Sequence, residues 1–150
     1  VDSVNLINSF LIAKSKSIEI SSVNHQRESE YQSLIRLIIT TEKQTRSVCG
    51  TLFGGEPRIV EIKGIRINAE LSKHNLYISN EDKPGFIRDL SKILADKNIN
   101  IASFHLGRDT AECKAIALIS IDSKIDNDIL KKIKTLPLII QAKYLEFNGK

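Results

Sequence analysis

The densest run of chemically useful groups is Asn80-Glu81-Asp82-Lys83-Pro84-Gly85-Phe86-Ile87, with Asn100 a little downstream. The run reads as the end of a strand, a turn and the start of a helix. Pro84 suits the first helical position, where its missing N–H costs nothing. Asp82 can cap the turn or receive a ligand amine, and Gly85 lets another group approach the backbone. The free N–H groups of the Gly85 to Ile87 backbone at such a helix start favour a carboxylate. Asn100 offers both a donor and an acceptor. An acid, an amide and a row of N–H donors together suit a free amino acid. The plainer reading is a helix start that needs a cap, with Asn98 and Asn100 only ending a helix and opening a strand.

Other chemistries find less support. The three histidines are scattered, and His105 lies in a strand, so no metal-ligand set forms. Gly54-Gly55 fits a hairpin turn better than a phosphate cradle. Cys49 and Cys113 have no CxxC partner and read as two reduced core thiols of a cytoplasmic protein. No GxGxxG fingerprint follows a strand, so neither a catalytic residue nor an NAD site is expected within these residues. The net charge of +4 comes from 22 basic and 18 acidic residues that are interspersed, without a basic stripe interleaved with aromatics. That pattern argues against nucleic acid binding. No apolar run reaches the ~18 residues of a membrane span. The start, Val1-Asp2-Ser3-Val4, has neither Met nor the plan of a signal peptide, so the sequence reads as a piece of a longer protein.

The elements that must position these groups follow from periodicity. Val4, Leu6, Ile7, Phe10, Leu11 and Ala13 give residues 4–14 the apolar side of a short helix. Residues 18–23 read as a possible short strand and residues 24–30 as a loop. Residues 32–71 read as an antiparallel meander, with strands at 34–39, 47–53, 58–62 and 65–71 and a turn at Gly54-Gly55. The plan restarts near Ser72-Lys73-His74. Strands at 76–79, 99–106, 114–121 and 138–147 alternate with two helices. Phe86, Ile87, Leu90, Ile93 and Leu94 form the buried face of the first helix, and Ile129, Leu130 and Ile133 that of the second. Pro137 ends the second helix. The order is β-α-β-β-α-β, a ferredoxin-like unit. The fold class is α+β. With 150 residues the chain suits one domain or two small ones, each of which would be marginal alone.

The β-α-β-β-α-β order, the Asn-Glu-Asp-Lys-Pro-Gly turn and the strand entry Asn98-Ile99-Asn100-Ile101 together resemble an ACT domain, the module that senses amino acids in biosynthetic enzymes. The stretch from Ser47 to Gly64 resembles the intervening domain of long-form D-3-phosphoglycerate dehydrogenases, and Phe104-His105-Leu106-Gly107-Arg108-Asp109 is also typical of that family. The resemblance implies a partial intervening domain, helix plus antiparallel sheet, at 1–72 and an ACT regulatory domain at 73–150. It implies that L-serine binds between the first-strand turn of one subunit and the first helix of its neighbour, at Asn80, Asp82, Gly85, Phe86, Ile87 and Asn100, in a homo-oligomer joined through ACT domains. It further implies an anionic effector of the intervening domain, for which Arg46 and Arg58 flank the Gly54-Gly55 hairpin, and it places NAD and catalysis in the rest of the parent enzyme. The regulatory part of an iron–sulphur L-serine dehydratase shares this two-domain order, and a stand-alone amino-acid sensor would share the ACT unit.

Overall fold

The structure, a computed structural model, describes residues 4–24, 31 and 33–147. The chain packs as two units, Val1–Glu30 and Tyr31–Lys150. The first holds the short helix α1 (Ser9–Ser15), which buries only Ala13. The apolar side expected there is mostly exposed, with Leu6 at 98% and Ile7 at 91%. Residues 18–24 form no strand. A strand needs a neighbour to take its backbone groups, and none pairs here. The expected loop at 24–30 lies, apart from Asn24, outside the described residues.

The second unit contains two four-stranded antiparallel sheets. The first is a meander of β1 (Leu34–Thr40), β2 (Thr45–Phe53), β3 (Glu56–Ile62) and β4 (Ile65–Glu70). Gly54 and Gly55 both have positive φ, as the β2–β3 hairpin turn requires. The second sheet contains β5 (His74–Glu81), β6 (Ile101–Asp109), β7 (Lys114–Ile121) and β8 (Ile139–Glu146), in the spatial order β6-β7-β5-β8. Helices α2 (Phe86–Ala95) and α3 (Asn127–Lys134) complete the β-α-β-β-α-β plan. The protein is thus α+β.

Alternation along the central strands assigns their two faces. Leu76, Ile78, Ala117, Ile119 and Ala142 pack with Phe86, Leu90 and Leu94 of α2 and Ile129 and Ile133 of α3 in the main core. Asp126 caps α3 by accepting from the Ile129 N–H at 2.7 Å. The opposite face meets the first sheet through a smaller cluster of Ile67, Ala69 and Leu118, flanked by Ile62, Tyr77 and Leu145. There β4 lies directly on β6. A Cβ on Gly107 would stand 2.5 Å from the Arg66 carbonyl oxygen and 2.8 Å from Ile65 Cγ2, so only glycine fits.

The end of beta 5 as a candidate amino-acid site

Strand β5 is flanked by β7 and β8 and delivers its last residues to the start of α2. Beyond Glu81, the Asp82 N–H donates to the Cys113 carbonyl at 2.9 Å and the Lys83 N–H to Glu81 at 2.9 Å. Gly85 then takes φ +108° as the residue before the helix. That angle, rather than crowding, is what calls for glycine, since a Cβ there would meet nothing closer than 3.6 Å. Pro84 consequently precedes α2 by two residues instead of occupying its first position. The left-handed turn at Gly85 intervenes.

No side chain caps α2, so the N–H groups of its first turn have no protein acceptor supplied by a cap. Asp82 does not cap it either. Its Oδ2 accepts from Arg108 Nε at 2.6 Å, while the carboxylate side chain is 19% exposed. Only one oxygen is engaged, which leaves Oδ1 to a second donor. Asn80 is 2% exposed. Its Nδ2 donates to the Glu81 carbonyl at 2.7 Å, and its Oδ1 is buried with no partner among the described residues. An orphaned acceptor of this kind costs about 1–3 kcal/mol unless a donor reaches it. Lys83 closes the outer side of the turn through Glu81 at 2.6 Å, and this contact raises the lysine pKa.

The remaining expected residues separate. Phe86 is a core residue, 5% exposed and 6.3 Å from Phe104 between ring centroids, so only its backbone is available to a ligand. Ile87 was expected on the buried face of α2, yet it is 51% exposed. It stands one position beyond the Phe86, Leu90, Leu94 stripe. Asn100 lies at the far end of the sheet. Asp82 follows Glu81, which pairs with Lys114, whereas Asn100 precedes Ile101, which pairs with Ile121. The length of β7 separates them, about 23 Å at ~3.3 Å per residue. Asn100 Nδ2 donates to Asp122 Oδ2 at 2.9 Å. One chain therefore does not bring Asp82 and Asn100 together.

Arg46 and Arg58 also part company. Arg58 is taken by Glu70 at 2.6 Å and Asn68 at 3.2 Å, and stacks over Phe53. Arg46 sits near the other end of β2, opposite Ile39, and lines a cleft of about 170 Å³ between the sheets. Arg108, which the sequence reading named only as part of a family motif, belongs beside Asp82. Its signal was its position in β6: alternation from Phe104 through Leu106 puts it on the face that α2 covers. Among the described residues no cluster of three or more His, Cys, Asp or Glu could hold a metal ion, and no helix is long and apolar enough to cross a membrane.

Comparison with known proteins agrees with this architecture. The family model of the D-3-phosphoglycerate dehydrogenase intervening domain matches residues 1–63, and that of the ACT domain residues 74–138. D-3-phosphoglycerate dehydrogenase of Bacillus subtilis (strain 168) is 34% identical over 149 residues, 97% of this chain and 28% of the relative. The Methanocaldococcus jannaschii enzyme of that name is 28% identical over 136 residues, 91% of this chain and 26% of the relative. The probable L-serine dehydratase beta chain of Bacillus subtilis is 27% identical over 132 residues, 87% of this chain and 60% of the relative. The chain thus spans about a quarter of the dehydrogenases it matches. Residues 1–63 belong to the D-3-phosphoglycerate dehydrogenase intervening-domain family and residues 74–138 to the ACT domain family, in the order that makes up the regulatory region of those enzymes.

Proposed function

We propose that this chain is the amino-acid-sensing regulatory region of a D-3-phosphoglycerate dehydrogenase, a cytoplasmic enzyme that oxidises 3-phosphoglycerate with NAD at the first step of serine synthesis, and that L-serine is its effector. The division runs between Ser72 and Lys73. The observation that carries the reading is the end of β5, where the orphaned Asn80 Oδ1, the part-buried Asp82 carboxylate and the uncapped N–H groups of α2 follow one another along a single strand-to-helix turn. The effector carboxylate takes the N–H groups of Phe86 and Ile87. Its ammonium takes Asp82 Oδ1, beside the Arg108 contact. Asn100 then enters from a second copy in which the sheet runs the opposite way.

The surface suits that second copy. Among the described residues, strand β6 has a strand neighbour on one side only, and such an edge invites pairing. Ile87 on α2 is 51% exposed and Leu106 on β6 is 39% exposed. Serine bound across the interface biases the parent enzyme between two states by a coupling free energy on the order of 1–3 kcal/mol. A dehydratase regulatory part is the second reading, favoured by the 60% of the dehydratase beta chain that is matched. Serine is a sensible ligand in either case.

Titration calorimetry of the chain with L-serine tests the proposal. Wild type should give heat, and Asp82→Ala and Asn100→Ala should each abolish it. Mixing the two variants in equal amounts should restore about a quarter of the sites, because half of the dimers are then mixed and one of the two sites in each keeps both residues. Silence from wild type, or no recovery in the mixture, would sink the shared-site reading.

A further inference from the structure

The cleft between the two sheets is independent of the amino-acid site. Its apolar floor comes from Leu37, Val48 and Ile62 of the first sheet. Register places them together, since Val48 pairs with both Leu37 and Ile62. The opposite wall is Tyr77 and Lys143, which are paired on β5 and β8, with Gln141 beside them. Arg46 and Lys63 complete the rim, so three cations and no acidic residue line the cleft.

Two of these groups lack the partners that buried polar atoms normally have. Arg46 Nε and the Tyr77 hydroxyl are both shielded from solvent with nothing to bond among the described residues. Lys63 Nζ is held 5.8 Å from the centroid of the Tyr77 ring, which keeps its charge at the mouth. Among the described residues, Arg46, Lys63 and Lys143 make no ion pair with a carboxylate. Uncancelled positive charge around buried donors selects an anion. A floor of Leu, Val and Ile selects something other than a fully hydrated one, because a bare inorganic ion gains nothing from it.

We propose that this cleft binds a small organic acid, a carboxylate carried on an apolar body about the size of a benzene ring. The volume of about 170 Å³ suits such a body, since an apolar cavity of ~150 Å³ accepts benzene. The body lies on Leu37, Val48 and Ile62. The carboxylate accepts from Arg46 Nε–H and the Tyr77 hydroxyl, with Lys143 across from it. Arg46 is well chosen for this, because its planar fork matches a carboxylate.

Benzoate is the probe, with formate, benzyl alcohol and inorganic phosphate as comparisons, each titrated into the whole chain and followed by backbone amide NMR. Benzoate should shift the amides of Val48, Ile62 and Lys143 and bind about tenfold more tightly than formate, which lacks the body. Benzyl alcohol, which lacks the charge, should bind no better than formate. Arg46→Gln should weaken benzoate about tenfold, the worth of a charge-assisted hydrogen bond, and Tyr77→Phe about threefold. Lys143→Gln provides a second rim variant should Arg46→Gln not fold. Asp82→Ala should leave benzoate binding unchanged, so failure here is separable from failure at the amino-acid site. Phosphate binding more tightly than benzoate would overturn the proposal. So would benzoate matching formate, shifts lying elsewhere, or wild-type affinity in the folded rim variants.

Discussion

The two sheets of the second unit are built alike and buried very differently. Strand β7 of the ACT sheet is buried at every position from Ala115 to Ile121, with helices on one face and the first sheet on the other. Strand β1 of the first sheet is exposed along its whole length, although five of its seven residues are Leu or Ile. Both strands are apolar runs, so composition does not separate them. Position does: β7 lies between β6 and β5, whereas β1 is an edge strand. Apolar character says that a strand is made to be covered. It does not say what does the covering. In the ACT unit the cover is supplied within about 75 residues by α2 and α3, while β1 keeps Ile35, Ile38 and Ile39 more than half exposed.

Substitutions can break this contrast. The largest difference is expected between Leu76→Ala, which opens a cavity in a fully buried site and should cost about 2–5 kcal/mol, and Ile38→Ala, which should stay within ~0.5 kcal/mol. Equal losses in urea unfolding would show that β1 is covered in solution. Next comes Gly107→Ala, which drives a methyl into the Arg66 carbonyl and should cost about 1–3 kcal/mol, read as a fall in melting temperature. Gly85→Ala should cost somewhat less, about 1–2 kcal/mol, from its left-handed φ alone. A null result there would mean that the turn before α2 relaxes.

The smallest effect is chemical. Cys49 is 1% exposed, and its thiol accepts from Arg36 Nε at 3.1 Å. Burial pushes its pKa up, against the opposing pull of Arg36. The folded value lies above the unfolded one. The stability it confers is therefore complete below the ordinary thiol range and is lost as pH rises through the folded value. Cys113, expected in the core like Cys49, is exposed in the turn between β6 and β7, so under native conditions a thiol reagent should modify it well before Cys49. Labelling of both at one rate would mean that the first sheet opens readily.

Much of the fold was legible in the sequence, because periods of two and of 3.6 residues announce which side of an element is buried. The meander, the Gly54-Gly55 hairpin and the β-α-β-β-α-β order all follow from that signal. What was not legible depended on register and on distant pairing. Arg46 and Arg58 look like neighbours across a hairpin, yet β2 and β3 align Arg58 with Thr51 and leave Arg46 toward the other end. Asp82 looks free for a cap or a ligand until Arg108, 26 residues away, is seen to hold it. Asn100 and Asp82 are close in sequence, but α2 carries the chain back to the start of the next strand, at the opposite end of the sheet. Residues 18–23 had strand-like composition and no strand to join.

Gly107 and Arg108 stand back to back on β6. The first carries the weight of β4 against bare backbone, and the second grips Asp82 on the other side. No side chain cushions the Gly107 contact, so a shift of even a few tenths of an ångström in this strand must be passed on to Arg66 or push against it. The turn at Asp82 and the neighbouring sheet are thus joined by a single peptide unit of β6 that acts as a stiff pushrod between them.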